Sequence, residues 1–139
     1  MNSPLKLPCV LSLLLAAGLL LATLVHAAAE VPGAEPFSEP RFRALQTEGS
    51  LVLVDVAADW CPTCRRQKSI LARFQEQHPE ARLRILTVDF DRQKEWVKHF
   101  KAPRQSTFIL FRGEAQLWFA VAEVSEEVIF DRLLRAAAP

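Results

Sequence analysis

Apolar and polar positions divide most of the chain into short alternating segments. After Ser38, a plausible N-cap, Phe42 and Leu45 give a short helix one apolar side, and Gly49-Ser50 ends it. Leu51-Val52-Leu53-Val54-Asp55-Val56 is an almost unbroken, valine-rich apolar run, the pattern of a strand buried on both faces. A helix is predicted from Cys61 to about Gln77, with Ile70, Leu71 and Phe74 as its apolar stripe and His78-Pro79 as its stop. Leu83 to Phe90 reads as a second strand. Arg92 to Phe100 reads as a short helix with Trp96, Val97 and Phe100 facing inward. Thr107 to Phe111 is a third strand, turned at Arg112-Gly113-Glu114 into a hairpin partner from Ala115 to Val121. Ser125 caps a last helix with Glu126 and Glu127 in its first turn, where the dipole favours acids, and Val128, Ile129, Leu133 and Leu134 on its buried side. The order α-β-α-β-α-β-β-α predicts an α/β domain with a central mixed sheet and helices on both faces.

The front of the chain has a different pattern. Lys6 stands just before an apolar run from Cys9 to Val25, and Val25-His26-Ala27-Ala28-Ala29 has the small residues of a signal-peptidase site, with cleavage after Ala27 or after Ala29. The alternative is an uncleaved anchor, although the run falls just short of the ~20 residues that span a bilayer. On either reading the rest of the chain crosses a membrane, so a periplasmic or otherwise exported protein is expected. The expected organisation is residues 1–29 as signal peptide or N-terminal membrane anchor, 30–37 as a linker carrying Pro32, Gly33 and Pro36, and 38–139 as one domain.

Removing the leader changes the charge and the cysteine inventory. Lys6 is the only one of 17 basic residues before Glu30, while all 16 acidic residues lie from Glu30 onward, so the domain is formally neutral. Nucleic acid is therefore not an expected partner. Cys9 goes with the leader, which leaves Cys61 and Cys64. Their spacing puts both sulfurs on one side of a helix's first turn. Cys61 at the helix start meets free backbone N–H groups and the positive dipole end, which favour the thiolate that attacks in disulfide exchange. Cys64, one turn in and expected to be the more buried, resolves the mixed disulfide. Pro62 suits the first helical position, where its missing N–H costs nothing. Two other readings compete. A structural bridge would close so short a loop that it stabilises little. A zinc site would need two more ligands, and the histidines are only His26, His78 and His99. No metal and no cofactor are expected; the dithiol is itself the redox centre.

The stretch Val54-Asp55-Val56-Ala57-Ala58-Asp59-Trp60-Cys61-Pro62-Thr63-Cys64 resembles the active site of the thioredoxin family, and the resemblance extends from Leu51 to about Ala137. It implies the thioredoxin-like fold and a redox disulfide between Cys61 and Cys64. Ala58-Asp59-Trp60-Cys61 also resembles the periplasmic C-terminal domain of the transmembrane thiol:disulfide interchange transporter. Pro62-Thr63 resembles the dipeptide of thioredoxin-like reductants in cytochrome c maturation. By the same resemblance Asp55, six residues before Cys61, would take the Cys64 proton, with burial raising its pKa toward neutrality; the alternative is a carboxylate that reaches solvent or a backbone N–H. Trp60 would be a lid beside Cys61 and part of a substrate-binding surface with Pro62, Thr63, Ser106 and Thr107; the alternative is a core tryptophan.

Three positions depart from the family pattern. The place of its cis-proline is Ser106, with Pro103 three residues too early; a Lys of the second strand is replaced by Thr87; and a second Trp is replaced by Ala57. A trans bond is expected at Ser106, because a non-proline cis bond costs ~2.5–4 kcal/mol. Its hydroxyl would then point at the sulfurs, the alternative being an exposed loop serine. The leading expectation is an exported monomeric reductant. It would act on exported proteins with disulfides, apocytochromes among them, and draw electrons from a membrane thiol:disulfide transporter. A disulfide oxidant or isomerase, and a redox-inert peptide-binding module, are the alternatives.

Overall fold

The computed structural model describes residues 31–138; the expected leader over residues 1–29 lies outside them. Five strands form one sheet: β1 (Ala34–Pro36), β2 (Leu51–Ala57), β3 (Arg84–Asp89), β4 (Thr107–Arg112) and β5 (Ala115–Val121). Among the described residues four helices accompany them: α1 (Glu39–Thr47), α2 (Pro62–Gln77), α3 (Lys94–His99) and α4 (Glu126–Ala137), with one 3-10 turn at Pro79–Ala81. The sheet order is β1-β3-β2-β4-β5. β1, β3 and β2 run parallel, and β4 and β5 are antiparallel to their neighbours.

β2 is the middle strand, and every residue in it is buried. Successive side chains of a strand point to opposite faces. Leu51 and Leu53 therefore pack with Ile70, Leu71 and Phe74 of α2 and Ile129 and Leu133 of α4. Val52, Val54 and Val56 pack on the other face, with Phe42 and Leu45 of α1 and Val97 of α3. Asp55 belongs to the first set, so a carboxyl faces the helix that carries both cysteines. The central mixed sheet with helices on both faces is as expected, and among the described residues no helix is long and apolar enough to cross a membrane.

The expected linker over residues 30–37 needs correction. Ala34–Pro36 form an edge strand on β3, in register with Ile85 to Thr87. The Phe37 N–H donates to the Thr87 carbonyl at 2.8 Å. Glu35 accepts from Arg41 at 3.0 Å and also pairs with Arg84, which ties β1 to α1 and β3. Phe37 is 4% exposed and stacks among Phe42, Trp96 and Phe100. Proline is tolerated here because an edge strand has one side without ladder partners. Smaller corrections fall on the helices. α3 is shorter than expected, with Trp96 only half-buried, and Val128 and Leu134 of α4 are exposed, leaving Ile129 and Leu133 as its buried face.

Phe37→Ala tests the reassignment. Loss of a buried phenylalanine should lower unfolding free energy by about 3–5 kcal/mol, read from urea denaturation. A change below about 0.5 kcal/mol, the scale of an exposed position, would return residues 30–37 to a linker.

Candidate functional site

β2 ends at Ala57, and four residues later Cys61 is the N-cap of α2 with an extended backbone. The Pro62 ring opens the helix where no N–H is needed. The Cys64 N–H, one of the donors that a helix start leaves unpaired, points at the Cys61 sulfur at 3.1 Å. Both cysteines are free thiols. The expectation that Cys61 is the exposed member of the pair fails, for both are 1% exposed. Ala57, Ala58 and half-buried Phe90 pack around them. Neither thiol is at the surface; hydrogen bonding at Cys61 and the deeper burial of Cys64 separate the two. Burial pushes the Cys61 thiol up. Hydrogen bonds from the Cys64 and Ser106 side chains and the Cys64 and Thr63 backbones outweigh it, so Cys61 lies below the usual thiol value. Cys64 lies above, raised first by burial and then by its bond to Cys61.

Ser106 completes the pair. Its Oγ lies 3.1 Å from the Cys61 sulfur and 3.2 Å from the Cys64 sulfur, and the residue is fully buried. The exposed-loop alternative therefore does not hold. All peptide bonds among the described residues are trans, as expected at Ser106. Pro103 is exposed in the loop before β4 and does not take the place beside the sulfurs. Ser106 has φ +63°, the left-handed region, which costs a non-glycine residue roughly 1–2 kcal/mol. Three hydrogen bonds offset that cost: its N–H donates to the Val56 carbonyl at 2.8 Å, and its carbonyl accepts from the Ala122 N–H at 2.7 Å and the Gln67 amide at 3.3 Å. A proline would lose the first bond and cannot reach this φ. Gln67 is a site residue the sequence reading missed. It is fully buried one turn beyond Cys64, and its amide also donates to the Glu123 carbonyl at 3.0 Å. Its spacing from Cys64 was the available signal.

Asp55 is 2% exposed, and its Oδ1 has no hydrogen-bond partner among the described residues. Burial pushes its carboxyl up to about 7, with the positive charge of Lys68 pulling the other way. The direction is the one expected of a buried acid, and at 2% exposure the residue meets the cleft floor and not the outer surface. Trp60 is 58% exposed, so it is no core residue; its indole N–H donates to Asp91 at 2.8 Å, holding the ring beside the helix start. Pro62 is exposed and Thr63 half-buried on the same rim. Thr107 is buried, with its hydroxyl donating to the Arg104 carbonyl at 2.7 Å, so it anchors the loop before β4 and presents no side chain to a partner. Thr87 sits beside Asp55 in the sheet register, and Ala57 is buried against the cysteines.

A thiol held low at a helix start and a second thiol held high one turn later are the two halves of dithiol–disulfide exchange, and the protein is a thiol:disulfide oxidoreductase. The chain belongs to the thioredoxin family, whose model matches residues 36–135. A thioredoxin H-type of Brassica campestris is 27% identical over 88 residues, covering 63% of this chain and 70% of that protein. The solved structure of Trxlp from Edwardsiella tarda is 39% identical, covers 72% of this chain and 97% of that chain, and superposes with a TM-score of 0.68. Thioredoxin NaTrxh from Nicotiana alata shares the fold at 18% identity, with 74% and 91% coverage and a TM-score of 0.65.

Two predictions follow from this geometry. Ser106→Ala removes a hydrogen bond to a charged sulfur, so Cys61 should titrate higher. Its thiolate fraction at neutral pH should drop roughly ten-fold, on the low side of what such a bond contributes. Thiolate absorbance measures it, and an unchanged titration would remove Ser106 from the site. Asp55 yields the second. Its folded pKa exceeds the unfolded value of 3.8. Between the two values the folded state holds a proton that the unfolded state has released, so this group's contribution to stability falls as pH rises from about 4 through 7. Asp55→Asn abolishes that slope. The variant should gain on the parent by on the order of 4 kcal/mol between pH 4 and pH 8, measured by denaturation at each pH. A difference that stays flat with pH contradicts the raised carboxyl.

Proposed function

We propose that the protein is an exported reductant of protein disulfides. The observation that supports this most is the buried Asp55 carboxyl on the β2 face that α2 covers. Once ionised, it disfavours a second negative charge at Cys64. That tilts the couple away from the dithiolate and toward the disulfide, which is the sense of a reducing couple. The reaction runs in two steps. The Cys61 thiolate attacks a partner disulfide, forming a mixed disulfide and releasing one partner sulfur as a thiolate. Cys64 then gives its proton to Asp55 and attacks the Cys61 sulfur. The Cys61–partner bond breaks, the second partner sulfur leaves, and the Cys61–Cys64 disulfide remains with two electrons passed on. A dithiol donor, for which a membrane thiol:disulfide transporter is the candidate, returns those electrons. Exported disulfide proteins, apocytochromes among them, are the substrates. Export is supported by Lys6, the apolar run to Val25 and the small residues at Ala27 and Ala29.

Trapping in the native host tests direction, roles and compartment together. Cys64→Ser should accumulate mixed disulfides through Cys61, and the captured partners should carry their own export leaders. Cys61→Ser should trap few. Equal trapping by both variants would overturn the assignment of roles. The purified couple, equilibrated with glutathione, should sit nearer the ~−270 mV of thioredoxin than the ~−120 mV of strong oxidants. A potential more positive than about −150 mV would make the protein an oxidant.

A further inference from the structure

An open cleft of about 850 Å³ runs under Trp60 between β1, β3 and the start of α2. Asp55 lines it, as do Ala57 and Thr87, whose short side chains leave its wall open. Lys68 enters from α2, half-buried and one helical turn beyond Cys64, next to the buried Gln67. The other charged groups on the cleft are engaged elsewhere or lie at its rim. Glu35 is held by Arg41 and Arg84. Asp89 accepts from the Asp91 and Arg92 backbones, with the Arg92 guanidinium 3.7 Å away. Asp91 holds Trp60 and faces Lys94, and Asp59 is exposed beside the helix start. Lys68 enters no ion pair among the described residues. The buried carboxyl whose Oδ1 lacks a partner and the uncommitted ammonium therefore share one cleft.

We propose that Lys68 is a positioning residue for the second step: its ammonium holds the Asp55 carboxyl ready to ionise, and the cleft gives that carboxyl its route to solvent. The inference rests on the reading of Asp55 as acceptor of the Cys64 proton. In the step, the proton leaves the Cys64 sulfur for the Asp55 carboxylate as the Cys64–Cys61 bond forms and the Cys61–partner bond breaks. Asp55 then releases that proton to water through the cleft. Charge is what Lys68 contributes, since an opposite charge nearby favours the ionised form of a carboxyl that burial disfavours. The direction of its effect on Asp55 agrees.

The test follows the Asp55 carboxyl carbon by NMR titration, alongside the pH profile of mixed-disulfide resolution, in the parent, Lys68→Met and Lys68→Arg proteins. Lys68→Met should move the Asp55 midpoint up by roughly half a pH unit or more. The resolution profile should move with it, with about a two-fold slower step at pH 7. Lys68→Arg should restore both. A carboxyl midpoint unmoved by Lys68→Met overturns the role of Lys68. A midpoint that moves while the resolution profile stays fixed overturns Asp55 as proton acceptor instead, so the two failures are distinguishable.

Discussion

One hydroxyl proton is shared between two buried sulfurs, and the arrangement of the site depends on it. The Ser106 oxygen is 3.1 Å from one sulfur and 3.2 Å from the other, but it can donate to only one at a time. The Cys64 N–H already points at Cys61. Donation to Cys61 therefore adds to the bonds that the Cys64 thiol and N–H already give it, and the charge collects there. Cys64 has burial and a neighbouring sulfur against its ionisation. Two chemically identical side chains three residues apart thus become an attacking group and a resolving group, although neither reaches the surface.

That hydroxyl is in place because the backbone around it is held. A left-handed serine is unfavourable alone, and it persists because three elements meet at it. β2 takes its N–H through Val56, the residue after β5 gives Ala122, and α2 gives Gln67. Gln67, Cys64 and Lys68 lie on adjoining positions of one helix. The same helix thus fixes the serine, carries the resolving sulfur and brings a positive charge toward Asp55. The cost appears in β2, where a carboxyl stands in a strand otherwise made of Leu, Val and Ala. Placed on the α2 face, it is poised near neutral pH, where a proton has to move.

Much of this was legible in the sequence because it rests on short-range rules. The valine-rich run of β2, the hairpin at Gly113-Glu114, the Ser125 cap and the Cys61/Cys64 spacing each have a local signature. The trans peptide bond at Ser106 and the approach of its hydroxyl to the sulfurs were also readable, from the cost of a cis bond and from the position before β4. What was not legible depends on tertiary placement. The three residues of β1 read as linker because Pro32, Gly33 and Pro36 carry turn signals. Only the edge of β3 and the aromatic cluster around Phe37 make them a strand. The burial of Cys61 was missed because helix starts are usually wet, and here Ala57, Ala58 and Ser106 close over it. Thr107 was expected at a partner surface, yet its hydroxyl is used by the Arg104 carbonyl. Gln67 and Lys68 carry no local signature of a role at the site; only the strands and loop packed beside α2 give them one.

Division of one proton among two sulfurs is tested most directly by following each thiol separately, through the Cβ carbons of Cys61 and Cys64 in the reduced protein as pH is raised. Two well-separated macroscopic steps are expected. The lower, sensed mainly at Cys61, should fall below the ordinary thiol value of about 8.5, and the higher, sensed mainly at Cys64, above it. A single step, in which both carbons report the same ordinary thiol value, would contradict it.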